Sequence, residues 1–231
     1  MKRFYKKAET GSLESGFTVL LDGRPIKTPA KAALIVPTEG LASEIAQEWD
    51  AQKDKIDPAS MPCMQYAATA IDRVTTQRDA VIDEITAYGG TDLVCYRASY
   101  PDILVRKQTE AWDPLLSWLE ECHDVVLATT TGLSHVKQND LMLGRFRKIV
   151  ASLSDLQLAA FHTIVSLTGS LVVSLAIMDG RLDAGEAFEI SELDETHVIE
   201  EWGEDAEAAM RRKNNKQSLE AAVQFFKLCN Q

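Results

Sequence analysis

The sequence predicts an α+β protein: a small N-terminal antiparallel sheet with one helix, then a larger all-helical region. Three observations point there. β-rich runs are confined to the first forty residues. Pro58 and Pro62 punctuate the chain after the first helical pattern. Beyond them, apolar residues recur at helical spacing. The expected domains are residues 1–60 and 61–231.

Phe17-Thr18-Val19-Leu20-Leu21 reads as a strand, and Asp22-Gly23 as a hairpin turn. Arg24 to Pro29 returns as a short second strand, its prolines suggesting an edge. Ala33-Leu34-Ile35-Val36 reads as a third strand stopped by Pro37. Thr38 is an N-cap for a helix with Leu41, Ile45 and Trp49 on one face. Met64 to Tyr88 is a helical stretch ending at Gly89-Gly90. Asp102 to Cys122, Asp140 to Leu153 and Asp155 to Met178 are three further helices. After Asp179-Gly180, Asp183 with Glu186 forms a capping box opening a long final helical region.

Charge excludes several classes. The 231 residues carry 24 Lys+Arg and 35 Asp+Glu, net −11, which argues against a nucleic-acid or anionic-membrane partner. The charge is local: residues 179–209 hold 12 acidic and 1 basic side chains, equal to the whole net charge. Cys63, Cys95, Cys122 and Cys229 stand apart without a CxxC, so reduced thiols are expected. The most apolar stretch, Phe161 to Met178, contains seven polar or glycine interruptions and reads as a core helix rather than a span. Met1 to Lys7 has no apolar run behind it and is not a signal peptide. A cytoplasmic monomer without membrane insertion is expected.

The signatures of phosphate-loop, dinucleotide, zinc-protease and serine-hydrolase chemistry are absent from the sequence. The four histidines lie far apart, so no metal site, catalytic residue or cofactor is expected. His162, inside an apolar run, reads as a core histidine. Trp112 and Trp118 sit in a Leu-rich helix and read as core. Trp49, in Glu48-Trp49-Asp50, packs between domains or lies on a binding face. Placed on a wheel as one helix, residues 183–209 put Phe188, Val198, Ile199 and Trp202 on an apolar face, with Glu195 in its middle and Asp194 on its flank. Such a carboxylate needs an internal partner, such as Arg145 or Arg147, or else a function.

Several strings occur in an order that resembles one family. They are Leu21-Asp22-Gly23-Arg24-Pro25-Ile26-Lys27-Thr28-Pro29, Glu48-Trp49-Asp50-Ala51-Gln52, Thr69-Ala70-Ile71-Asp72, Thr91 to Ala98, Trp112-Asp113-Pro114 and Trp202-Gly203-Glu204-Asp205. Together they are similar to the ATP-twelve type of assembly chaperone for the ATP synthase catalytic head. The resemblance implies a small α/β domain followed by a helical one. It also implies a non-enzymatic protein that binds the free alpha subunit until that subunit pairs with beta. It implies an important acid upstream of the Trp-Gly pair, which falls on Asp194 or Glu195. A missing mitochondrial leader fits a bacterial member. The expected client contacts are Asp194, Glu195, Val198 and Trp202, with Trp49 and Asp50. The alternatives are an acidic interaction module with another client, or a small hydrolase joining a histidine to an acid.

Overall fold

Three short strands open the chain in the computed structural model, which describes residues 1–132 and 134–230. β1 (Ala8–Leu13), β2 (Gly16–Leu21) and β3 (Arg24–Pro25) form an antiparallel meander with β2 in the centre. Ala8 faces Leu21 on one side of β2, and Arg24 faces Leu21 on the other. Asp22 and Gly23 both take positive φ, as the tight turn between β2 and β3 requires. β1 has no sequence signal: it is an edge strand, half-exposed on both faces, so no apolar alternation is imposed on it. The strand expected at Ala33–Val36 forms only isolated bridges, Lys27 with Ala33 and Phe17 with Val36. A turn through Lys31, itself at positive φ, and then Pro37 leave no room for a longer ladder.

α1 (Glu39–Asp50) begins at Thr38, whose hydroxyl accepts from Leu41 N at 3.2 Å. Its face of Leu41, Ala42, Ile45 and Ala46 is buried, and the helix packs on β1 and β2. The next run is continuous: α2 (Pro62–Thr69), a π turn over Ala70–Val74, and α3 (Thr75–Ala87). Just past the π turn the Thr75 hydroxyl donates back to Ala70 O, and Gln77 leaves helical geometry two residues later. β4 (Tyr96–Arg97), α4 (Asp102–His123) and β5 (Thr130–Thr131) follow, and β4 pairs with β5 in parallel. The region expected to be all-helical therefore holds one two-residue pairing.

The helices expected at 140–153 and 155–178 become three: α5 (Asp140–Ala151), α6 (Asp155–Thr168) and α7 (Leu171–Met178). The break falls at Gly169, which takes φ 62 at the end of α6 and turns the chain before Ser170 caps α7. The final region is also three helices: α8 (Ala184–Ser191), α9 (Leu193–Trp202) and α10 (Ala206–Leu228). α8 opens on the expected capping box of Asp183 and Glu186. Among the described residues, no helix is long and apolar enough to cross a membrane.

The contacts group the chain into two compact units. The first holds Met1–Arg78, Leu153–Phe161 and the residues from Ala221 onward. Its sheet and α1 share a core with the end of α10: Phe225 packs on Tyr66 with ring centroids 5.3 Å apart, and Thr38 Oγ1 donates to Leu228 O at 2.6 Å. The second unit holds Asp79–Ser152 and His162–Glu220. There α4 packs on α7 and α9, and every residue from Leu171 to Ile177 is buried.

Candidate functional site

Asp194, Glu195, Val198 and Trp202 all lie on α9, in the second unit. The helix is held in place from its inner side. Trp112, fully buried as expected, donates from Nε1 to Ile190 O at 3.1 Å. Buried Gln108 donates from Nε2 to Asp194 Oδ1 at 2.6 Å, and its Oε1 accepts from Ala98 N at 2.8 Å. Lys107 Nζ reaches Glu200 at 2.6 Å and holds that carboxyl below its usual range. From α10, Arg212 binds Glu192 (3.1 Å) and the Thr196 hydroxyl (2.6 Å), with its guanidinium over the Phe188 ring.

This frame corrects the wheel. Glu192 at φ −98, ψ 17 ends α8 and restarts the chain as α9, so one phase does not run through both helices. Phe188 is buried, whereas Glu195, Val198 and Trp202 point outward. Their spacing of three and four keeps them on one stripe, as the wheel has it, but that stripe faces solvent. Trp202 is 87% exposed and Val198 49%. Glu195 has no ion-pair or hydrogen-bond partner among the described residues. The partners proposed for it are engaged elsewhere, Arg145 with Asp124 and Arg147 with Asp79 and Asp83. His197, instead, is the buried residue of α9.

The acidic segment is largely accounted for by local structure. Asp179 pairs with His123, Asp183 and Glu186 form the capping box, and Glu192 and Glu204 meet Arg212. Asp194 and Glu200 tie α9 to α4, and Asp205 accepts from Glu207 N and Ala208 N at the start of α10. Among the described residues, only Glu189, Glu195, Glu201 and Glu207 of the twelve acids lack a side-chain partner. Of these, Glu195 shares its stripe with two exposed apolar side chains.

Trp49 and Asp50 lie on α1 in the first unit. Asp50 pairs with Arg3 at 3.2 Å. Trp49 stands edge-on to Tyr5, centroids 5.6 Å apart, on the wall of an open groove of about 920 Å³. The Asp22 to Pro29 string lines the same groove. Sequence reasoning had no signal for this cavity, because its walls come from segments separated by loops.

His162 is not a core histidine: it is part-exposed and stands 3.2 Å from Glu84. Neither that pair nor His123–Asp179 lines the groove, which gives no support to a hydrolytic pair there. Among the described residues, no group of three or more His, Cys, Asp or Glu side chains could hold a metal ion.

Comparison with known proteins agrees with this architecture along the whole chain. The family model of the ATP12 chaperone protein matches residues 2–120. Mitochondrial atp12 of Schizosaccharomyces pombe is 29% identical over 87% of this chain and 74% of its own length. Mitochondrial ATP12 of Saccharomyces cerevisiae is 23% identical over 98% of this chain and 84% of its own. The crystal structure of Atp12 from Paracoccus denitrificans superposes with a TM-score of 0.95 at 41% identity, covering 99% of this chain and 98% of that one. A match to the family over more than half of the sequence, carried to the rest by a solved relative of the same fold, establishes that the chain belongs to the ATP12 chaperone family.

Proposed function

We propose that this chain acts in ATP synthase assembly by binding the free alpha subunit of the catalytic head and shielding it from aggregation until beta replaces the chaperone. The observation that carries the reading is the outward stripe of α9. An exposed tryptophan and a half-exposed valine lie beside a carboxylate that no cation among the described residues neutralises. An unpaired ring subunit exposes interface that drives association, and a chaperone must meet it with apolar surface of its own. Trp202 is the anchor, Val198 extends it, and Glu195 orients a basic group of the client. Asp194 acts indirectly: by holding Gln108 it positions α9 on α4. A contact as small as one helix face is weak enough for the larger alpha–beta interface to displace.

The test is co-purification of alpha subunit with Glu195→Lys and Trp202→Ala variants. Both positions are exposed, so both variants should fold with wild-type circular dichroism. Trp202→Ala is expected to lower capture at least ~10-fold, the loss typical of an interface anchor. Undiminished capture by both folded variants would remove α9 from the contact.

A further inference from the structure

The groove of the first unit plays no part in the α9 reading, yet several separate segments of that unit converge on it. One wall is a run of three rings, Phe4 edge-on to Tyr5 at 5.4 Å and Tyr5 edge-on to Trp49. The β2–β3 turn forms the second wall, and Met61 and Met64 form the third. Phe4, on its lip, is 66% exposed, and Met1 beside it 83%. Exposed apolar side chains clustered at a cleft mark interaction sites more often than isolated ones do. Flexible thioethers let such a wall adapt to more than one side chain.

Its charge runs against that of the whole chain. Arg24 and Lys27 line the groove, both exposed and without an ion-pair partner among the described residues. Asp22, also lining it, is already engaged: its carboxylate accepts from Lys6 N and Lys7 N, which hold it below the usual carboxylate range. Residues 1–37 carry 7 basic and 3 acidic side chains, net +4, in a chain of −11. Trp49 adds a third feature. Its Nε1–H is shut off from water and has no acceptor among the described residues.

We propose that this groove docks an extended segment of another polypeptide that bears apolar side chains next to a carboxylate. The apolar side chains enter between the ring wall and the methionines, and the carboxylate meets Arg24 and Lys27. A backbone carbonyl of the segment, reached by a small turn of the indole, satisfies Trp49 Nε1. The last point favours a peptide over a lipid, since an acyl chain has no acceptor to offer along its length. Recognition of this kind combines an apolar cleft with a few convergent polar groups.

The test uses the full chain and a fluorescein-labelled hexapeptide of alternating leucine and aspartate, read by anisotropy. Two control peptides replace every aspartate by lysine or every leucine by serine. The acidic apolar peptide is expected to bind at least ~10-fold more tightly than either control, a difference that shrinks with salt. Arg24→Glu combined with Lys27→Glu should reduce its binding at least ~10-fold, whereas Trp202→Ala should bind it like wild type. Equal binding of the acidic and basic peptides, no binding of any peptide, or displacement of the bound peptide by oleate would each overturn the proposal. If the double charge reversal does not fold, the three peptides on the wild-type chain decide the matter. The α9 reading is tested by alpha-subunit capture, so either conclusion can fail without the other.

Discussion

Asp92 sits where no water reaches it, and its carboxylate organises two helix starts at once. Oδ1 accepts from the Ser170 hydroxyl at 2.6 Å and from Val94 N, and Oδ2 accepts from Val172 N at 3.0 Å. Burial pushes its pKa up to about 6 from 3.8, and the hydrogen bonds only partly offset that desolvation. The folded state thus holds the proton more tightly than the unfolded chain. The stability this proton contributes is full below pH 3.8 and is lost as pH rises through about 6, roughly 3 kcal/mol in all. Asp92→Asn keeps one acceptor oxygen and turns an amide donor toward backbone N–H groups, at a cost of ~1–3 kcal/mol. Asparagine does not titrate, so the wild-type margin over the variant should be largest near pH 4 and narrow toward pH 7. Urea unfolding at both pH values measures it, and a margin that widened with pH would show that burial is not the dominant effect. Other strings that carry the family resemblance hold similar tethers. Glu48 accepts from Cys63 N and Met64 N at the start of α2, and Asp72 accepts from the Thr28 hydroxyl and Ala30 N. Each was legible as a motif but not as a tether, because its partner lies 15 or more positions away.

At the scale of the element, α9 owes its outward stripe to the two breaks that bound it. Helical periodicity placed Glu195, Val198 and Trp202 together correctly, since that relation lies within one helix. It wrongly carried Phe188 onto the same stripe, because nothing local in Ser191-Glu192-Leu193 announces a break: no proline or glycine stands there. The second break is legible at Gly203, which takes φ 83, ψ 174, a region essentially closed to residues with a Cβ. A Cβ added there would touch nothing within 4 Å, so the penalty of Gly203→Ala comes from the backbone alone. We expect ~1–3 kcal/mol, felt locally as looser docking of α9 between Lys107 and Arg212. Amide hydrogen exchange should then quicken across residues 193–202 while α4 and α7 keep their protection. Uniform quickening across the second unit would show that α9 does not open independently of its neighbours.

For the molecule as a whole, the least legible feature is the return of the chain end to the first unit. The β2–β3 hairpin, α1 and the helical region were readable from local pattern. That Ala222, Val223, Phe225 and Phe226 complete the core of the first unit was not, because apolar periodicity marks a buried face without naming what covers it. The consequence is that the first unit cannot close its core before the end of the chain is available to it. Phe225 is fully buried against Tyr66, and Phe226 packs on Phe161 at 5.9 Å. Phe225→Ala removes a ring that the surroundings only partly replace, a loss of ~3–5 kcal/mol. Phe4 supplies the internal control, for it is the same residue type in the same unit but lies at the surface. Phe4→Ala should cost less than ~0.5 kcal/mol. Amide hydrogen exchange of β2 and α1 at rising denaturant reports on the first unit directly, since both elements stand there. A large drop in protection for Phe225→Ala, with Phe4→Ala near wild type, is the expected result. Equal, small losses for both would mean that the chain end adds little to that core, and that the sheet and α1 are stable without it.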